Sequence, residues 1–463
     1  MTITVTSLGA ARNVTGSRHL LEVGDLRLLV DCGLYQEREY AGRNWEKFPV
    51  PPASIHAVLL THAHIDHCGF LPKFARDGFA GPVWATHASA EVAPIVLADA
   101  ARLNVEDVAY KRRRHDREGR HPAREPQPLF TEVDVEVVVR RFRTVDFHAA
   151  TVVAPGVRAT WLPAGHIIGA AMILVEIEQA DGPSKRVLFS GDLGRFDRPL
   201  VPDPVDPPAA DLVVVESTYG DRLHTRDQDI PGQLEEIIGA TIAQGGTVLI
   251  PSFAVERAQE LMWYLDRLNR DGRLPAVPVY LDSPMAVRLL DVYRRHPEAL
   301  DDEMRTGGFN LSAVRCALSR DESKAINDHQ GPSIIIAGSG MLNGGRIKHH
   351  LEQRIDDPAS CLLFVGYQVP GTLGRQLIDG ARRVRLFGRE REVRLRVAQV
   401  QGFSGHADRD ELLAWLERMP TKPKRVAIIH GGEHVAPAFA QLVAERLGVP
   451  AAANEYLVPV TVP

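Results

Sequence analysis

Along the first two hundred positions, apolar residues come in short runs, each closed by glycine, proline or a polar residue. Runs of this kind read as strands. They are "HLLEVGDLRLLVDCG", "IHAVLLTHAH", "GPVWATHAS", "VRATWLPAGHIIGAAMILVEIE", "KRVLFSGDLG" and "DLVVVESTYG". Helical spacing interrupts them from Ala88 to about Lys111. A proline-rich connector, "VPDPVDPPAA", follows from Val201 to Ala210, and Asp211 opens another buried strand. From Asp221 the rhythm changes. "IPGQLEEIIGATIAQGGTVLIPSFAVERAQELMWYLDRL" reads helix, glycine turn, strand, helix. "VPVYLDSPMAVRLLDVYRRH" and "PSIIIAGSGMLNGGRIKHHLEQRI" repeat strand, small-residue turn, helix. Such alternation predicts a doubly wound α/β unit whose parallel strands end on one side, where ligands sit. Beyond about Val400, "FSGHADRDELLAWLERM" sets a loop histidine before a helix, and "KRVAIIHGGEHVAP" is a strand ending in His430.

Several of the strands finish in side chains that bind metals. The buried run from Ala57 to Leu60 leads into "THAHIDHCGF", which packs His62, His64, Asp66 and His67 together. Residues two apart in an extended chain point the same way, so His62 and His64 can share one ion. Asp66 and His67 follow where a helix would begin, and they aim at a second point. Asp31, His166, Asp192, Glu216 and His430 each close another apolar strand. One such residue is ordinarily a satisfied turn. Five beside a single HxHxDH cluster suit two Zn²⁺ ions, with a carboxylate free to bridge them.

At 463 residues the chain exceeds one ordinary core, so two domains are expected. Its 44% hydrophobic and 24% charged content is that of a globular protein. No apolar run approaches the ~20 residues of a membrane span, and the opening residues lack the pattern of a signal peptide. The cysteines Cys32, Cys68, Cys316 and Cys361 are dispersed, which suggests reduced core thiols in a cytoplasmic protein. Cys68 adjoins His67, but the neighbouring donors already make a full set. A formal net charge of −5 argues against a nonspecific DNA-coating protein. One local exception is "KRRRHDREGRHPAR", Lys111 to Arg124, which reads either as a solvated helix end or as an edge that touches phosphates.

"THAHIDH", together with Asp31, His166 and Asp192, resembles the metallo-β-lactamase fold, an αββα sandwich with metals at one sheet edge. "DSPMA", "GSGMLNGGR" and "GYQVPGTLGRQL" resemble the inserted α/β domain of its β-CASP branch, a parallel sheet flanked by helices. That branch includes the endonuclease subunit of the pre-mRNA cleavage and polyadenylation factor and its prokaryotic relatives. The resemblance runs from "LGAARNVTGS" to "IIHGGE". It implies a first sandwich part at 1–220, the β-CASP domain at 221–400 and a C-terminal sandwich part at 401–463. It further implies two zinc ions per chain, one held by His62, His64 and His166 and the other by Asp66, His67 and His430. Asp192 would bridge them, with Asp31 orienting a histidine ligand. Glu216 and His406 match motifs A and B of the branch. His430 matches motif C, which is histidine in RNA-cutting members. Two departures are present: Gly405 stands where relatives commonly carry alanine, and "HGGE" holds one glycine more than the usual "HGE", which moves Glu433 along by one.

The function so implied is zinc-dependent hydrolysis of single-stranded RNA, endonucleolytic, in RNA processing or decay. No membrane is involved, and a homodimer is left open. Asp192 would position the attacking water, and His406, charged and oriented by Glu216, would protonate the leaving oxygen. The bland alternative for His406 is a residue at a helix start. The small-residue turns that hold Ser283, Ser339 and Gly340 follow a parallel strand and precede a helix, and by pattern alone they read equally as ordinary tight turns or as phosphate sites. The resemblance implies that they contact backbone phosphates. The competing function is a small-molecule hydrolase of the same fold, of thioesterase or lactonase type. Such an enzyme needs neither the long insertion nor the Glu216–His406 pair. A noncatalytic RNA-binding subunit is disfavoured by the complete set of ligands.

Overall fold

The computed structural model describes residues 2–119, 125–225, 229–308 and 314–463. The chain forms two compact units, one of Met1–Leu223 with His406–Pro463, the other of His224–Gly405. In the first unit two seven-stranded sheets face each other. One runs Pro459–Thr461, Ile3–Gly9, Arg18–Val23, Leu26–Val30, Ala57–Leu59, Val83–Thr86, Phe142–Val145. The other runs Ala451–Ala453, Arg425–Ile429, Leu212–Glu216, Lys185–Phe189, Ala171–Ile177, Val157–Pro163, Thr151–Ala154. Their inner faces supply one core, with Val5, Leu21 and Leu28 meeting Trp161, Ile173, Val187 and Val214. Trp161 is fully buried and spends its polar handle across the sandwich, donating Nε1–H to the Leu60 carbonyl at 3.0 Å. That bond lands beside the histidine cluster.

Leu212–Glu216 is buried along its whole length, as a strand covered on both faces must be. It pairs in parallel with Lys185–Phe189 on one side and Arg425–Ile429 on the other. The sandwich is therefore completed by a strand that arrives only after the second unit. In the second unit the order is Val314–Cys316, Val279–Asp282, Ser333–Ala337, Thr247–Pro251, Cys361–Phe364, Arg396–Gln399, and every pairing is parallel. Helix Ile230–Ala243 leads into Thr247–Pro251, the first of these strands in the chain, and helices Arg257–Arg270, Pro284–Arg295 and Ile347–Arg354 lie in the connections between them. Leu249, Ile335, Leu351, Leu362 and Phe364 share its core.

Three expectations need correction. The helix expected to end near Lys111 runs His87–Glu118. Its basic end is helical because i,i+4 pairs Lys111–Asp107 and Arg114–Glu118 support it, and Gly119 in the left-handed conformation stops it. Residues 120–124 of the basic run lie outside the described residues. Cys316 is exposed, unlike the other three thiols, because its strand lies at the edge of the parallel sheet. The turn after Ser333–Ala337 does not open directly into a helix, since Ile347–Arg354 begins several residues later.

Candidate metal centre

Ala57–Leu59 is wholly buried, and the chain leaves it extended before the short helix Ile65–Cys68. The extended part carries His62 and His64, and the helix carries Asp66 and His67. The loop after Leu26–Val30 grips that helix. Cys32 N–H donates to the His67 carbonyl at 2.7 Å, and Leu34 N–H to that of Ile65 at 3.0 Å. A Cβ on Gly33 would stand 1.5 Å from the Asp66 carbonyl oxygen, so only glycine fits there. Asp31 and His430, which close strands on opposite sheets, both sit at positive φ, +60° and +50°. Such backbone costs on the order of 1–3 kcal/mol each. The buried residues that precede them, Leu28 to Val30 and Val426 to Ile429, supply more than that, at ~1.5–3 kcal/mol per large apolar side chain.

The seven expected donors converge as two groups, His62, His64, His166 and Asp192 in one, Asp66, His67 and His430 in the other. In the first group, Nδ1 of His64 lies 3.2 Å from His62 Nε2 and 3.1 Å from His166 Nε2. In the second, His67 Nε2 and His430 Nε2 are 3.2 Å apart, and Asp66 Oδ2 is 3.5 Å from the latter. The Asp192 carboxylate is divided between them. Its Oδ2 lies 3.6 Å from both His62 Nε2 and His166 Nε2, and its Oδ1 lies 3.3 Å from His67 Nε2 and 3.7 Å from His430 Nε2.

These residues fit a pair of cations by their own chemistry. Oδ1 of Asp192 is buried without a hydrogen-bond partner, which is costly unless something positive meets it. The outer ring nitrogens are occupied: His67 Nδ1 by Asp31 Oδ2 at 2.7 Å, His62 Nδ1 by the Thr61 hydroxyl at 3.1 Å, His430 Nδ1 by the Thr218 hydroxyl at 3.0 Å. An N–H fixed on Nδ1 leaves the Nε2 lone pair facing inward. Burial, reinforced by His67, holds His62 well below the usual imidazole pKa, and burial brings His64 to about 4, so both keep free lone pairs. His67 goes the other way. Burial opposes its charge, but Asp192 and Asp31 outweigh that and draw a proton onto the ring. A field that protonates a buried imidazole is one that would hold a cation.

Thr61 and Thr218 were not singled out in the sequence. Thr61 also donates to Asp31 Oδ2 at 2.8 Å, so one buried carboxylate reaches His67 directly and His62 through a hydroxyl. The available signal was slight: a hydroxyl just before the first histidine, and another two residues after Glu216.

Glu216 is fully buried; its Oε1 accepts from Leu193 N–H at 2.7 Å and pairs with His406 Nδ1 at 3.1 Å. Burial alone would lower the His406 pKa. The Glu216 carboxylate and its hydrogen bond, with Asp192 behind, lift it to about 9. His406 precedes the helix Arg409–Glu417, whose start is capped by Asp408 Oδ1 accepting from Asp410 and Glu411 at 2.9 Å. The helix start therefore does not need His406. Cys68 turns away and points its thiol at the Ala63 carbonyl, 3.5 Å off.

The expected phosphate contacts lie in the second unit. Ser283 caps helix Pro284–Arg295, its oxygen accepting from Ala286 N–H at 3.3 Å. Ser339 instead closes a local turn, its hydroxyl engaged with Gly344 carbonyl and amide at 3.2 and 3.3 Å. Gly340 gives its carbonyl to the Gln368 amide at 2.9 Å.

An αββα sandwich with a His/Asp-rich centre at its strand ends, interrupted by a parallel α/β unit, defines a metal-dependent hydrolase of the metallo-β-lactamase type. The chain matches the Metallo-beta-lactamase superfamily over residues 16–167, the Beta-Casp domain over 258–377, and the Zn-dependent metallo-hydrolase RNA specificity domain over 390–453. It is 41% identical to ribonuclease TTHA0252 of Thermus thermophilus over 448 residues, which is 96% of each chain. It is 32% identical to the transcription termination factor FttA of Methanocaldococcus jannaschii, over 95% of this chain and 69% of that one. The FttA of Methanosarcina mazei is also 32% identical, over 96% and 70%. The chain belongs to the β-CASP family of the metallo-β-lactamase superfamily. A crystal structure of a protein of unknown function from Enterococcus faecalis V583 shares the fold over the full length of both chains, at a TM-score of 0.56 and 14% identity.

Proposed function

We propose that this protein is a zinc-dependent ribonuclease that hydrolyses phosphodiester bonds of single-stranded RNA endonucleolytically, in RNA processing or decay in the cytoplasm. The observation that carries the reading is Asp192, whose two oxygens are divided between two histidine groups. RNA as substrate draws support from a relative named as a ribonuclease and from the RNA specificity domain matched at residues 390–453. That match weighs against a small-molecule hydrolase. Among the described residues no helix is long and apolar enough to cross a membrane.

His62, His64 and His166 would hold one zinc, and Asp66, His67 and His430 the other, with Asp192 shared between them. When bound, such a pair supplies Lewis acidity to water and to the phosphodiester. The chain's own residues do the rest. Asp31 directly, and Thr61 and Thr218 through their hydroxyls, fix which nitrogen of His67, His62 and His430 faces inward. Asp192 orients the attacking water. His406, kept charged by Glu216, gives a proton to the departing oxygen. Ser283, Ser339 and Gly340, in turns that follow strands of the inserted sheet, would contact the RNA backbone.

The test is Asp192→Ala. Zinc analysis of the wild type should give about two ions per chain. The variant should bind RNA within a fewfold of wild type and cut it at less than about a hundredth of the rate, a barrier change above ~3 kcal/mol. Cutting at a higher rate than that would remove Asp192 from the shared position. Product lengths from end-labelled RNA and its DNA counterpart, read in the same experiment, report the mode of cutting and the sugar preference.

A further inference from the structure

The carboxyl edge of the parallel sheet in the second unit carries two exposed aromatic rings on adjacent strands. Phe253 follows Thr247–Pro251 and is 44% exposed, and Tyr367 follows Cys361–Phe364 and is 51% exposed. The two strands pair in parallel, so both rings leave the sheet on the same side. Phe253 is held in place from beneath. A Cβ on Gly340 would stand 2.9 Å from two atoms of its ring, so the ring lies directly on the bare Gly340 backbone. Gly340 is fixed in turn by Gln368, the residue after Tyr367, whose buried amide donates to its carbonyl at 2.9 Å. Three neighbouring strand ends are thus tied together, with the aromatic faces left outward. Large exposed rings on a braced support lose little entropy when something stacks on them.

We propose that Phe253 and Tyr367 form a stacking platform for unpaired bases of the RNA strand. The proposal rests on the ribonuclease reading and names the part of the substrate that this unit would grip. A single strand alternates flat apolar bases with charged phosphates, and this edge offers flat apolar faces beside glycine-rich main chain. Bases paired in a duplex present no free face, so the platform selects single strands. The edge also tolerates a polyanion. Asp282, which closes a strand of the same sheet, is met by Arg346 at 2.6 Å and His350 at 2.7 Å and presents no bare charge. The serine hydroxyls nearby are engaged, Ser283 in a helix cap and Ser339 in a local turn, whereas the two rings are exposed.

The experiment compares three substrates on the zinc-loaded full chain: an unstructured RNA, the same ribose-phosphate backbone without bases, and bis(p-nitrophenyl) phosphate. Wild type should favour the RNA over the abasic strand. In Phe253→Leu/Tyr367→Leu, which keeps apolar bulk and removes the π faces, kcat/KM for RNA should fall by ~5- to 100-fold per lost stack, mainly through KM. Rates on the abasic strand and the small ester should hold. Phe253→Tyr/Tyr367→Phe should restore the preference for RNA. If the leucine variant keeps that preference, or loses the abasic strand equally, the platform is refuted. Tyr367→Leu alone, at an exposed position, reads the same loss should the double variant fold poorly. A wild type that cuts no RNA would instead overturn the ribonuclease reading and not this proposal.

Discussion

At the level of single residues, His406 carries the most consequential assignment, and its geometry separates three roles. Nδ1 is taken by a fully buried Glu216, and the ring stays charged to about pH 9. If it donates the proton to the leaving oxygen, His406→Ala should slow RNA cleavage by ~10²–10⁴-fold. It should slow bis(p-nitrophenyl) phosphate far less, because that leaving group departs without a proton. Equal losses on both substrates would make His406 a phosphate contact, and losses of only a fewfold on both would make it structural. That the seven donors would lie together was legible from the HxHxDH cluster and from the His and Asp that follow other apolar runs, and their grouping was implied by the resemblance. Thr61 and Thr218 were not legible. A threonine beside a strand end is common, and only the approach of its hydroxyl to an imidazole across the fold distinguishes it.

Among the elements, the contact between the 31–34 loop and helix Ile65–Cys68 sets the position of two of the seven donors, Asp66 and His67. Gly33→Ala drives a Cβ into the Asp66 carbonyl, a backbone atom that cannot rotate away. The expected cost is at least ~3 kcal/mol by urea unfolding, together with loss of zinc from the site of Asp66 and His67. Full zinc content at wild-type stability would show that the loop does not set the ligands. Strand positions and the α/β rhythm of the second unit could be read from periodicity, because parallel buried strands are continuous apolar runs. The end of helix His87–Glu118 could not. Its last turns are all polar, and their helicity comes from charge pairs and a glycine stop that hydrophobic spacing does not record. The turn at Ser339 misled for a related reason. A strand followed by small residues signals a helix start, yet here the chain folds back on Gly344 first.

For the molecule as a whole, two compact units predict two thermal transitions, and only one holds the candidate centre. Chelation should lower the transition of the sandwich unit and leave the other in place. Binding to the native state alone contributes ~4 kcal/mol when free metal exceeds Kd a thousandfold. A calorimetric trace unmoved by chelator would place no metal in the sandwich. The interruption of that unit by residues 224–405 has a further consequence, for the protein's birth on the ribosome. Leu212–Glu216 is made before its neighbour Arg425–Ile429 exists, and at ~5–20 residues per second the wait is on the order of ten to forty seconds. Throughout that interval a strand with four consecutive apolar residues, Leu212 to Val215, has an open edge, the feature most prone to stray pairing. Over the whole of that interval the nascent chain lacks His430, so the donor set of the candidate centre cannot be complete before the sandwich itself is.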